Sequence, residues 1–293
     1  MVLESRLVEG AKYKLYHYDP SFIAASIMMV VFGLSSALHL AQLGVKKTWY
    51  FIPFVIGGQF EVIGYAARAI NAKQTPNWET NPYAIQSLML LLAPTLFAAS
   101  IYMILKRIII LTDCESHSII KTKWTTAVFV SGDLISFLLQ SGGGGMLVQA
   151  KSKDAVTMGQ NMITYGLYVQ VAFFALFMTV TMVFHIRMLK DPSYRASILA
   201  VPWQQYIVVL YIASFLILVR SVFRIAEYVM GSGGPLMGTE MYLYLFDAAL
   251  MAATMLFFNI RHPSSIIMGR RDMEREGSIP LKDVEDGGSE FRH

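Results

Sequence analysis

The sequence predicts an all-α polytopic membrane bundle of seven transmembrane helices, and three observations carry that expectation. The chain of 293 residues is 55% hydrophobic and only 15% charged, with a mean hydropathy of +0.49, which sets it apart from soluble domains. Apolar runs of spanning length, about 20 residues for a hydrocarbon core of about 30 Å, occur seven times. Lysine and arginine are also unevenly divided between the connectors.

The first run, near residues 22–43, follows Asp19-Pro20 and stops at Lys46-Lys47. The second, near 48–70, opens on Trp49-Tyr50 and contains Pro53, which is expected to kink it. The third, near 84–105, carries Pro94 in its interior, where neighbours must satisfy the freed carbonyl, and ends at Lys106-Arg107. The fourth, near 125–148, begins after Trp124 and includes Gly142 to Gly145, which end the helix or let another backbone approach closely. The fifth spans about 162–187. The sixth, near 205–229, is preceded by Trp203 and Tyr206, and the seventh, near 240–260, runs to Arg261. Trp49, Tyr50, Trp124, Trp203 and Tyr206 are the aromatic rings expected in the headgroup layer.

Fifteen basic residues fall in the connectors and tail on one side, from Lys46 to Arg292, against six on the other: Arg6, Lys12, Lys14, Lys73, Lys151 and Lys153. By the positive-inside rule the N-terminus is outside and the C-terminus cytosolic. The expected organisation is an extracellular segment 1–20, a transmembrane domain 21–263 and a polar, disordered cytosolic tail 264–293. The first twenty residues lack the apolar core of a cleaved signal peptide, so the first span is expected to direct insertion. The single cysteine, Cys114, falls in a connector and has no disulfide partner. The net charge of +4 is explained by topology and does not imply nucleic acid.

Charges inside the spans are the candidate functional groups. Arg68, Arg220 and Arg224 face Glu61, Asp133, Glu227, Glu240 and Asp247. A charge at mid-bilayer costs about 2.5 to 3.5 kcal/mol on insertion scales, so these groups need partners, water or a ligand. Residues 220, 224 and 227 share a helix face, as do Glu61, Gly64, Tyr65 and Arg68. The topology puts most of the cluster in the outer half of the bundle, converging on an outward-facing cavity with Asp133 and Gln140 as its floor. Buried ion pairs that only lock helices together are the plainer account of any one of them. A pocket of both signs suits an amphiphile, with carboxylates for an ammonium and arginines for phosphate or carboxylate oxygens.

His39, His185 and His262 fall near cytosolic helix ends and are the candidates for zinc or haem iron. Interfacial histidines bonded to backbone or headgroups are the simpler account, because no HxxH, HExxH or HxxxH spacing occurs. There is likewise no Walker loop, GxSxG or CxxC, so ATP hydrolysis and serine or thiol chemistry find no support.

With these residues in hand the chain resembles the fungal RTA-like family, also called the lipid-translocating exporter family. The resemblance rests on YDPS (18–21), Phe32-Gly33 with His39, EVIGYAAR (61–68), LLAPTLFAASIY (91–102), FVSGDLISFLLQSGGGG (129–145) and RSVFRIAEYVMG (220–231). Glu240, Tyr244, Phe246-Asp247 and His262-Pro263 continue it. It implies seven spans and transport or export of sphingoid long-chain bases, phospholipids, sterol-like or toxic compounds, or of porphyrin or haem, most naturally at the plasma membrane. The expected substrate site then comprises Glu61, Tyr65, Arg68, Asp133, Gln140, Arg220, Arg224, Glu227, Glu240, Tyr244 and Asp247, with no resident cofactor and no catalytic residue. Two alternatives stay open: a haem or porphyrin protein with histidine ligation, and a zinc-dependent intramembrane lipid hydrolase built from Asp133 and the histidines. Oligomeric state is not legible.

Overall fold

The computed structural model describes residues 16, 18–112, 114–150, 152–191, 203–230 and 234–264. Most of the expected N-terminal segment, the connector containing Arg195 and almost all of the expected tail lie outside the described residues. Among those described, seven helices of 21 residues or more follow in order: α1 Phe22–Lys46, α2 Ile52–Lys73, α3 Thr80–Leu111, α4 Thr122–Gln149, α5 Lys153–Lys190, α6 Trp203–Met230 and α7 Glu240–Ile260. Each coincides with one apolar run. Helices α3 and α5 extend well past theirs, because backbone groups leaving the hydrocarbon are still best satisfied within the helix.

Helices α1, α3, α5, α6 and α7 are long and apolar enough to cross a membrane. Helices α2 and α4 have the length but dilute their apolar content with Glu61, Arg68 and Asn71, and with Asp133, Gln140 and five glycines. Each helix packs on its successor, α7 returns to α1 to close a ring, and α3 also touches α6 across it. Burial is inverted relative to a soluble protein. Arg68 and Arg220 are the largest fully buried side chains, whereas Ile23, Leu34 and Ile260 are 71%, 69% and 68% exposed. Only an apolar solvent makes that arrangement favourable, so the protein is an integral membrane protein.

Local sequence sets the helix ends. Ser21 caps α1 by accepting the Ala24 N–H, and Lys47 closes that helix in the left-handed region at φ 52°. Ser152 caps α5 through the Ala155 N–H. Pro53 departs from expectation: α2 begins at Ile52, so the proline lies in the first turn, where its missing N–H costs nothing and no kink follows. Pro94 does lie inside α3. The glycine run does not end α4, which continues to Gln149. It serves close approach instead, since a Cβ on Gly143 would stand 2.6 Å from the Gly159 carbonyl oxygen of α5. Cys114 lies in the connector between α3 and α4, as expected, and is buried there. Tyr50 and Trp203 are also buried, while Trp49 and Trp124 are exposed as membrane-boundary rings are expected to be.

Candidate functional site

The charged residues assemble where α1, α3, α5 and α7 begin. Arg220 and Arg224, one turn apart on α6, both reach Asp247 of α7, each pairing with one carboxylate oxygen. Arg224 also binds Glu227 on its own helix, Nη1 to Oε2 at 2.9 Å. Asp247 sits in a π-helical segment, Tyr244–Ala248, set into α7. The extra residue per turn rotates its carboxylate away from the surrounding α register, and such segments recur at functional sites.

A second donor of Arg220 meets the irregularity at Pro94. Proline at position 94 has no N–H to give the carbonyl of Leu90, one turn earlier, so that carbonyl is free inside the bundle. Arg220 Nη2 donates to it at 2.7 Å. The α3 irregularity and the α6 guanidinium therefore satisfy each other.

Arg68 of α2 forms the second half of the network. Its Nη2 donates to Glu240 Oε1 at 2.7 Å and to the Tyr18 hydroxyl at 2.9 Å, and its Nε donates to the Tyr244 hydroxyl at 3.2 Å. The rings of Tyr16, Tyr18 and Tyr244 stand 5.5 to 5.7 Å from the guanidinium carbon, a cage that stabilises a buried cation. Glu240 also accepts the Ser21 N–H at 3.0 Å, tying the start of α7 to the cap of α1. Above the cage, Tyr16 donates to Gln86 Oε1 at 2.6 Å and accepts from Asn71 Nδ2 at 3.1 Å. Burial pushes the Tyr16 phenol above its ordinary range, against the opposing effects of Asn71 and Arg68, so it acts as a neutral donor.

Three guanidiniums are thus paired with three carboxylates, Asp247, Glu227 and Glu240, and the network is neutral. Glu61 is surplus to it. Its carboxyl is 1% exposed, Oε1 has no hydrogen-bond partner, and it forms no ion pair among the described residues, although Asp247, Arg220 and Arg224 lie within electrostatic reach. One turn on, the Tyr65 hydroxyl is also buried without a partner, its ring stacked on Phe32. An unpartnered buried polar group is costly. Here two such groups share one helix face.

A cavity of about 140 Å³ opens beside the network, with Tyr18, Arg68, Gln140, Arg224 and Glu227 in its wall. It is smaller than the roughly 300 to 1,000 Å³ of drug-sized ligand pockets. Leu90 lines it and packs on Gly64, where an added Cβ would lie 2.6 Å from Leu90 Cδ2. Glu61 and Tyr65, on the same helix as Gly64, are not part of the cavity wall.

Asp133 does not join the cluster. It lies seven residues, about 10 Å along the helix, from Gln140 and accepts the Tyr102 hydroxyl at 2.9 Å, with Phe129 and Phe177 against the Tyr102 ring. Gln140 alone of the two expected floor residues lines the cavity, bonded to Ser136 and Gln170. The histidines also separate. His39 and His262 stand 6.4 Å apart between ring centres, with His39 Nε2 3.1 Å from the Met255 carbonyl oxygen. His185 instead packs on Trp203 and Tyr211. Among the described residues no three His, Cys, Asp or Glu side chains gather as metal ligands, whereas catalytic zinc takes three protein ligands. The set of three histidines and the Asp133 hydrolase site are therefore not assembled.

Tyr16, Asn71, Gln86 and the Leu90 carbonyl were missed by sequence reasoning. The tyrosine-rich run from Tyr13 to Tyr18 was the one available signal, since rings at the end of the bundle where the second span carries Arg68 can cage a cation there.

Comparison with known proteins places these residues in context. The family model described as RTA1 like protein matches residues 54–270. Protein RTA1 of Saccharomyces cerevisiae is 34% identical over 276 residues, covering 86% of this chain and 85% of that protein. Protoporphyrin uptake protein 1 of the same species is 32% identical, with 85% and 91% covered. The sphingoid long-chain base transporter RSB1 of Saccharomyces cerevisiae strain Lalvin EC1118 is 23% identical, with 87% and 73% covered. No solved structure matches the chain.

Proposed function

The chain belongs to the RTA1-like family, and from that premise we propose that it is a seven-span carrier moving amphiphilic lipids across or out of the plasma membrane, with its N-terminus outside. The observation that carries this reading is the surplus pair Glu61 and Tyr65, buried and unpartnered beside a neutral network of three arginines and three carboxylates.

A cationic head such as the ammonium of a sphingoid base pairs with Glu61 and receives the Tyr65 hydroxyl as a further polar contact. Arg68 and Arg224, at the cavity wall, offer donors to phosphate or hydroxyl oxygens. The alkyl chain leaves between helices, whose outer faces are apolar. Movement of α3 at Pro94 displaces Leu90 and joins the cavity to Glu61. No covalent step is required, so the reading is a carrier and not an enzyme.

The test is transfer of a radiolabelled long-chain amine between the leaflets of phosphatidylcholine vesicles containing the full chain. Glu61→Gln is expected to slow transfer roughly 10- to 100-fold, the worth of one hydrogen-bonded charge. Transfer no faster than in protein-free vesicles, or an unaffected Glu61→Gln variant, defeats the proposal. A second reading, porphyrin as the cargo, is favoured by the His39–His262 pair and the similarity to protoporphyrin uptake protein 1. It requires that haem on mixing show the shifted, sharpened Soret band of histidine ligation, and that this shift be lost in His262→Ala.

A further inference from the structure

At the opposite end of the bundle, between the last turns of α3 and the first turn of α4, lies a second concavity of about 360 Å³. Lys106, Ile110, Glu115, Lys121, Thr122 and Lys123 line it. The start of α4 is built against its own stability. Helix N-termini favour acidic residues and a side-chain cap, because the first N–H groups have no acceptor within the helix and carry partial positive charge. Here the cap position is Lys121, which makes no capping bond, Lys123 is in the first turn, and no acidic residue is there. Three ammonium groups face one carboxylate, Glu115, and none of the three lysines is in an ion pair among the described residues.

A second observation points to a ligand. Thr122 is 6% exposed, yet its buried hydroxyl has no hydrogen-bond partner while the residue lines the concavity. An orphaned hydroxyl at a helix N-terminus beside three lysines is the donor set that phosphate oxygens take. The surroundings supply the rest of the ligand: Trp124 and Ile119 are exposed at this end, and Ile110 faces outward from the concavity wall itself. An exposed tryptophan next to a basic pocket marks the depth of the headgroup layer.

We infer that this concavity binds the phosphate-bearing head group of an anionic membrane lipid, held by Lys106, Lys121, Lys123 and the Thr122 hydroxyl at the N-terminus of α4, with its acyl chains along the outer faces of α3 and α4. The site is separate from the arginine network and does not depend on what the carrier moves. The bound lipid completes the start of α4, supplying the negative charge that its first turn lacks and neutralising lysines that the chain leaves uncompensated.

The experiment uses the full chain in neutral detergent, with dioctanoyl phosphatidylinositol bisphosphate, dioctanoyl phosphatidylcholine and inorganic phosphate as probes. Native mass spectrometry and thermal shift are the readouts. Wild type is expected to bind one phosphoinositide at least roughly tenfold more tightly than phosphatidylcholine, with each lysine-to-alanine change weakening it roughly fivefold. Lys123→Glu is the discriminating variant. It complements the helix dipole, so lipid-free protein melts higher, while the lipid-induced shift disappears. Thr122→Val is expected to leave lipid-free melting unchanged or raised and to weaken the phosphoinositide several-fold. Phosphoinositide affinity unchanged in both variants, or equal binding of phosphatidylcholine, overturns the site. Equal occupancy by inorganic phosphate reassigns it to a soluble anion and overturns the lipid assignment.

Discussion

Replacing Asp247 by asparagine tests the arginine network directly. Asp247 is 2% exposed and gives one oxygen to Arg220 and the other to Arg224. Asparagine keeps the volume and one acceptor but removes the charge, so three guanidiniums then face two carboxylates and the network holds a net positive charge. Breaking a buried pair by neutralising one partner costs about 3 to 5 kcal/mol, because the other charge stays buried. At roughly 2 to 4 °C per kcal/mol for a chain of this size, the melting temperature in detergent is expected to fall by about 6 to 20 °C. The double variant Asp247→Asn with Arg224→Gln restores neutrality and is expected to lose less than the sum of the two single changes, by about 1 kcal/mol or more. A single variant that melts within 2 °C of wild type, or strict additivity in the double, would refute the claim that these charges are coupled and buried.

Three further outcomes follow from the same structure. Glu61→Gln breaks no hydrogen bond or ion pair among the described residues, so its melting temperature is expected within about 2 °C of wild type even though transfer is slowed; a large destabilisation would mean that Glu61 is a structural partner. Gly143→Leu drives a Cβ to 2.6 Å from the Gly159 carbonyl oxygen and 2.9 Å from the Ile163 amide nitrogen, and this backbone cannot yield locally. It is expected to cost about 1 to 3 kcal/mol, whereas Gly144→Ala, which meets open space, is expected to gain up to about 1 kcal/mol of helix propensity; thermal melts of the two should diverge in sign. Burial, with help from Lys46 and His39, holds the His262 imidazole down at about 4, below the roughly 6.5 of an unfolded chain. Between those values only the unfolded chain takes up the proton, so stability is full well above pH 6.5 and falls as the pH drops through that window towards 4. In His262→Leu the melting temperature should depend less on pH over that range, and an unchanged slope would exclude the residue.

The separate fates of the eight charges found in the apolar runs show where sequence reasoning stops. All eight are recognisable, because a charge in an apolar run violates the solvent preference of its surroundings. Their partners are not. Asp133 and Gln140 lie on one helix and were expected to form one floor, but the phenol of Tyr102 draws Asp133 into an aromatic enclosure on the other side of two helical turns. His185 shares its end of the bundle with His39 and His262, but its helix turns it towards Trp203 and Tyr211. Pro53 and Pro94 read alike in the sequence; the position of the helix start makes the first harmless and leaves the second with a free carbonyl.

The sequence by itself determined that this chain is a bundle of apolar helices in a membrane, roughly where each helix lies, which residues are out of place there, and the family to which those residues belong. Those properties are local: they depend on the solvent and on 20 or so consecutive residues. Tertiary structure decided that Arg220 and Arg224 share Asp247, that Arg68 takes Glu240 inside a cage of tyrosines, and that Glu61 and Tyr65 are left without partners. Which charge meets which depends on the rotation and sliding of each helix about its own axis. Those are set by many weak contacts between helices far apart in sequence, such as Gly143 against Gly159 and Leu90 against Gly64, and no single stretch of the chain encodes them.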